Sequence, residues 1–278
     1  MFQGLRRQLA RALAVARPQR HLPDASWNST LARFRFLARL DEGNRQRLRE
    51  LVTVFLDRKE FHGAGGLDVT GDMALAVAAQ ACLPLLCLAR NRSAAQALDW
   101  YDDFVGIVLH PGEVLAQRMV LDDSGVVHHF HEALTGESMD GGPVMLSWAD
   151  VDAADLTAES GYNVVIHEFA HKIDQHDGQA DGCPPLPAGF LGASHPAEAR
   201  RRWRERFGAE YDKFSDQVTA AARFGPLVPR PWLDAYGAES WAEFFAVACE
   251  AYFVNPEALS REHPDLHTLL DQLFRPPT

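Results

Sequence analysis

The chain has 278 residues, 47% hydrophobic and 23% charged, with a formal net charge of −11 at pH 7. That length and apolar content suffice for a sizeable core in one large domain or two lobes. The negative balance argues against nucleic acid or an anionic membrane surface as the main partner, and no window approaches the ~18 uninterrupted apolar residues that a membrane span requires.

Taken in order, residues 1–25 read as a basic tail, poorly ordered at the chain terminus. Within residues 1–20, Arg6, Arg7, Arg11, Arg17 and Arg20 occur without an acid, and Leu5, Leu9 and Leu13 recur every four residues. A secretory signal is not indicated, because there is no continuous apolar stretch and no small-residue cleavage pattern; the absence of Ser in residues 1–20 argues against a transit peptide. Residues 26–278 are expected to form a single domain, with a helical part over 26–100 and a part carrying the chemistry over 101–278.

Glu42 to Phe61 shows helical periodicity, with Leu48, Leu51, Val52, Phe55 and Leu56 on one face. Gly63-Ala64-Gly65-Gly66 ends it as a turn; no Gly-Lys-Ser/Thr follows, so a phosphate loop is not indicated. Thr70 can cap a helix over Gly71 to Arg90 that is apolar nearly all round and kinked near Gln80 and Pro84. Cys82, Cys87, Cys183 and Cys249 include no Cys-x-x-Cys pair. They read as reduced thiols of a cytoplasmic protein rather than a disulfide framework.

From Trp100 the period moves toward two. Phe104 to Leu109, Val126 to Leu134 and Val144 to Trp148 are predicted strands, and Glu113 to Val120 is either a strand or a short connection. On a strand, His129 and His131 share a face and His128 points the other way; they read as strand histidines near a cleft rather than a separate metal site.

Asn163 to Asp174 holds the chemistry. On a helix, His167 and His171 lie one turn apart, so both imidazoles can reach one metal ion. Glu168 sits beside that stripe, close enough to touch a metal-bound water without being a ligand. This His-Glu-x-x-His spacing belongs to zinc peptidases, whose glutamate is the general base. The flanking Val164, Val165, Ile166, Phe169, Ala170 and Ile173 make the helix largely buried, where unpartnered His and Glu would cost several kcal/mol. Gly178 suits the left-handed turn past its end. Residues 178–195 are loop, Pro196 to Phe214 a charged surface helix, and Arg223 to Pro231 irregular.

A catalytic zinc takes three protein ligands and water. Glu243, Glu239, Glu250 and His176 are candidates for the third, and Ser240-x-x-Glu243 also matches a capping box, which would turn Glu243 back to the backbone. Residue chemistry leaves this open.

Asn163 to Asp174 and Tyr236 to Phe253 together resemble the Mlc titration factor A family of bacterial zinc peptidases. The likeness extends from about Ala32, through Gly142 to Trp148, to Pro256-Glu257-Ala258-Leu259. The same two segments are similar to the catalytic domain of anthrax lethal factor. The resemblance implies an α+β, mainly helical, zincin-like (gluzincin) fold with a small mixed β-sheet beside the motif helix. It implies one Zn2+ per chain on His167, His171 and Glu243, with Glu168 as general base and Tyr236 facing the substrate carbonyl. Asp174 matches an Asp that recurs after the second His in these relatives, and its place on the histidine stripe suits a partner that orients a ligand histidine, the alternative being ordinary helix capping. The implied activity is peptide hydrolysis, as an aminopeptidase, with a glucose-responsive Mlc-type transcriptional repressor as a binding partner. A repressor-binding regulator whose peptidase activity is incidental is the alternative.

Overall fold

The structure, a computed structural model, describes residues 22–112 and 142–275 and the backbone of two strands between them, at 115–121 and 127–133. Most of the predicted basic tail therefore lies outside the described residues, and the first helix, α1 (Asp24–Arg33), begins within the tail boundary expected from sequence. After α2 (Arg35–Ala38), α3 runs Glu42–Arg58. Asp41 caps it, accepting the Asn44 N–H at 2.9 Å, and Leu48, Leu51, Val52 and Phe55 are completely buried.

Helix α3 stops short of Phe61. Lys59 is extended, and its buried ammonium donates to Phe104 O at 2.6 Å and to Tyr101 O. These contacts between residues far apart in sequence turn the chain into a strand, β1 (Glu60–Gly63), beside β2 (Gly106–His110). A Cβ on Gly63 would lie 1.7 Å from Leu67 O, so the return after β1 requires glycine. Helix α4 (Gly71–Ala81) begins at Thr70, whose hydroxyl accepts the Met73 N–H at 3.2 Å. It is buried nearly all round and breaks over Cys82–Pro84 before the short α5 (Leu85–Leu88) and α6 (Ala94–Ala97).

Strands β1, β2 and β5 (Val144–Ser147) form one sheet in the order β1-β2-β5, with both pairings parallel. β3 (Leu115–Leu121) and β4 (Val127–Ala133) pair with each other antiparallel in a separate ladder. In place of the mixed sheet that the resemblance implies, the described residues form two ladders. The connections explain the difference. Parallel neighbours need long crossovers; α4 to α6 link β1 to β2, and the hairpin segment links β2 to β5.

Ser147 ends β5 and starts α7 (Trp148–Thr157), which the sequence reading does not anticipate; its hydroxyl accepts the Asp150 N–H at 3.3 Å. Next come the motif helix α8 (Val164–Asp174), the long α9 (Pro196–Phe224), α10 (Trp241–Val254), α11 (Pro256–Glu262) and α12 (Pro264–Phe274). α9 is both longer and less superficial than its arginines suggest, burying Trp203, Phe207 and Phe214, with the Trp203 and Phe207 rings stacked at 5.0 Å. α8 packs most closely on α10, with α4 and β5 also against it. Phe169 of α8 anchors this junction, its ring 4.9 Å from Tyr101, 5.7 Å from Phe55 and 5.8 Å from Phe104. Among the described residues, no helix is long and apolar enough to cross a membrane.

Candidate metal centre

The local sequence fixes where α8 begins. Gly161 turns the chain at φ 80°, and a Cβ there would press on Trp232 at 3.0 Å and Ala251 at 3.2 Å. Asn163 then caps the helix, its side-chain carbonyl accepting the Ile166 N–H at 2.9 Å. From this start His167 and His171 come to one face, their Nε2 atoms 3.2 Å apart. α10 supplies the third group from its first turn. Ser240 caps α10 by accepting the Glu243 N–H at 3.2 Å, but the Glu243 carboxylate points to the histidines, with Oε2 3.1 Å from His167 Nε2 and 3.3 Å from His171 Nε2.

Among the described residues this is the one group of three or more such side chains whose ligand atoms lie within 4.8 Å of one another. A tetrahedral ion with ligand bonds of ~2.0–2.1 Å requires donors separated by roughly 3.3 Å. The three observed separations fit that requirement, and two imidazoles with a carboxylate are a donor set for zinc.

Electrostatics follow from burial and proximity. Glu243 is partly buried, which alone would raise its pKa, but hydrogen bonds from His167 and His171 outweigh burial and hold it at about 2. Burial opposes a charge on His167, yet Glu250 and Glu243 together push its pKa well up. Glu168 is raised by burial, an effect that the two imidazoles partly offset.

The remaining sequence candidates fall into different positions. Tyr236 lies on the turn Ala235–Ala238, which Asp234 caps by accepting the Tyr236 N–H at 3.0 Å; its ring centroid is 6.0 Å from that of His167. Glu239 is exposed. His176 is exposed too and packs on Trp100, ring centroids 4.5 Å apart. The side chains of His128, His129 and His131 lie outside the described residues. Asp174 Oδ2 accepts the Gly182 N–H at 2.8 Å, and its Oδ1 is buried without a hydrogen-bond partner among the described residues. Burial raises its pKa to about 7.

The carboxylate that reaches the far ring nitrogen of a candidate ligand is Glu250, with Oε1 2.7 Å from His167 Nδ1. From sequence, Glu250 is a candidate ligand only, although spacing signals its place: seven residues past Glu243 is two helical turns, on the same face of α10.

Comparison with known proteins agrees with this geometry. A family model described as glucose-regulated metallo-peptidase M90 matches residues 6–275. The chain is 32% identical over 259 residues to an uncharacterized protein of Synechocystis sp., covering 92% of this chain and 85% of the relative. It is 31% identical over 253 residues to Mlc titration factor A of Serratia proteamaculans, covering 90% and 87%. Against Mlc titration factor A of Yersinia pestis the identity is 30% over 253 residues, covering 90% and 84%.

Proposed function

Because the chain belongs to the family of glucose-regulated M90 metallopeptidases, we propose that it is a zinc-dependent aminopeptidase of the zincin-like, gluzincin type. His167, His171 and Glu243 hold one zinc ion, and residues 26–278 act as one catalytic domain. The observation that carries this reading is the 3.1–3.3 Å spacing of three donor atoms brought together from two helices.

When bound, zinc supplies Lewis acidity, bringing the pKa of water toward ~7 and polarising a peptide carbonyl. Glu168 takes the proton of the attacking water and delivers it to the departing amine. Its burial suits this role, since a carboxyl group whose protonated form is favoured can hold a proton between the two steps. Tyr236 directs its hydroxyl at the carbonyl oxygen as negative charge develops there, a contribution of a few kcal/mol by analogy with other such donors. Substrate binds extended along the edge of β5, the sheet strand that packs against α8. Unpaired Cys82, Cys87, Cys183 and Cys249 support a cytoplasmic setting.

The test combines zinc quantification with amino-acid nitroanilides and longer peptides, each with and without a chelator. Release of the amino-terminal residue by zinc-loaded protein, abolished by the chelator, is expected; internal cleavage would make it an endopeptidase. Glu168→Gln should keep its zinc and lose peptidase activity by several orders of magnitude. Full activity in the metal-loaded variant would sink the mechanism.

The name of two relatives, Mlc titration factor A, favours a second reading in which the chain binds an Mlc-type transcriptional repressor. Capture of such a repressor by zinc-free or Glu168→Gln protein would separate binding from catalysis, whereas capture that depends on zinc would join them.

A further inference from the structure

His167 is the end of a buried polar chain that crosses three helices. Its Nδ1 faces Glu250 Oε1 at 2.7 Å, and the other Glu250 oxygen accepts the backbone N–H of Asn163. The Asn163 side chain caps α8 through its carbonyl and donates its amide N–H to Gln80 Oε1 at 2.7 Å. Gln80, on α4, donates in turn to Ala76 O at 3.1 Å. Gln80 and Asn163 are 0% exposed and Glu250 is 1% exposed.

Removing such groups from water is costly unless each is partnered, and the helices around them need no polar group to pack. Ala76 and Val77 of α4, Ile166 and Ala170 of α8, and Val247 and Ala251 of α10 are apolar and buried on the same three helices. The direction of each bond is nevertheless forced. Ala76 O can only accept, so Gln80 turns its NH2 toward it and its carbonyl toward Asn163. Asn163 must then offer its NH2 to Gln80, which leaves its carbonyl for the Ile166 N–H. That anchored cap fixes the Asn163 backbone N–H on one Glu250 oxygen and aims the other at His167. A carboxylate only accepts, so when His167 is neutral, as a metal ligand must be, its one proton is held on Nδ1 by Glu250 and the Nε2 lone pair is left on the side of His171 Nε2 and Glu243 Oε2.

We propose that Gln80, Asn163 and Glu250 form a positioning relay that locks the tautomer and ring orientation of His167, so that a residue of the amino-terminal helical part sets metal affinity without touching the metal. The inference rests on the zinc reading above and adds to it residues outside the His-Glu-x-x-His motif. Fixing the far nitrogen of a ligand imidazole is worth about 10–100-fold in metal affinity.

The experiment measures zinc dissociation constants by chelator competition for wild type, Glu250→Gln and Gln80→Met, with thermal unfolding of each metal-free protein as a control for fold. Glu250→Gln is expected to bind zinc about 10–100-fold more weakly. Gln80→Met keeps the volume of the side chain and lies two residues away along the relay; a several-fold loss is expected. In zinc-loaded wild type, the His167 Nδ1–H proton should exchange slowly with water and give a low-field NMR resonance that broadens in both variants. A Gln80→Met protein with the wild-type dissociation constant overturns the relay, even if its metal-free form melts earlier, since that pattern is plain packing. Failure of wild type to bind zinc overturns the metal reading and the relay with it, and is a distinct result.

Discussion

Glu243 and Glu239 are four residues apart and differ in what they touch. Glu243 is drawn to about pH 2 by two imidazoles, whereas Glu239 is exposed on the turn before α10. Glu243→Ala should therefore weaken zinc binding by more than the ~10–100-fold typical of outer partners, and Glu239→Ala should leave it nearly unchanged. Metal analysis after dialysis decides between them, and equal zinc retention would return Glu243 to a capping role. Asp174 makes a prediction of another kind. Its pKa is about 7 in the folded protein against 3.8 as the ordinary value, so the folded state binds the extra proton. Stability is then lost as pH rises from about 4 to about 7, and the full penalty persists above. Asp174→Asn keeps an acceptor for the Gly182 N–H and removes the charge. Its gain in stability, of order a few kcal/mol, should grow across that pH window and level off above it. Thermal unfolding of chelator-treated protein at several pH values checks this; a gain independent of pH would refute it. The histidine pair was legible in the sequence because two residues one turn apart depend only on helical geometry. Which carboxylate completes the trio depends on how α10 docks on α8, and residue chemistry left four candidates until the resemblance singled out Glu243. The role of Glu250 was hidden for the same reason.

At the scale of elements, Gly182 is a close-packed anchor of the loop after α8. Gly182 donates its N–H to Asp174, accepts the Trp203 indole N–H at 2.8 Å, and sits at φ 71° with room for no Cβ, which would lie 2.5 Å from Trp241 O. Gly182→Ala combines left-handed strain with a backbone clash and should cost about 2–4 kcal/mol. Gly178→Ala, at φ 95° with nothing within 4 Å, carries only the conformational part. Denaturant midpoints for the two variants test the difference, and equal losses would show that the contact with Trp241 is slack. Elements set by local periodicity, such as α3, α4 and the strands β2, β4 and β5, stand close to where hydrophobic spacing puts them. Those set by distant partners do not. β1 exists because Lys59 is tied to the carbonyls of Tyr101 and Phe104, and the sequence around it reads as a continuing helix. α9 looks superficial because its arginines mask Trp203, Phe207 and Phe214, whose partners include Phe244 and Phe245 of α10.

For the molecule as a whole, the donor groups join α8 to α10, and the Asn163 cap of α8 bonds to α4. A metal that binds the folded state alone stabilises it by mass action, by about 4 kcal/mol at a thousand times the dissociation constant. For a domain near this size, each kcal/mol corresponds to roughly 2–4 °C in Tm. Chelation of the zinc-loaded protein should therefore lower Tm on the order of 10 °C in one cooperative transition, because the same helices form the core. Glu168→Gln should show a drop of similar size, since Glu168 is assigned no ligand bond, and Glu243→Ala a much smaller one because little zinc is held to begin with. Scanning calorimetry of the three proteins with and without chelator reads all of this at once. A wild-type Tm that does not move when zinc is stripped would mean that α8 and α10 are fixed by their packing alone, and that the metal is a passenger in the fold even if it serves the chemistry.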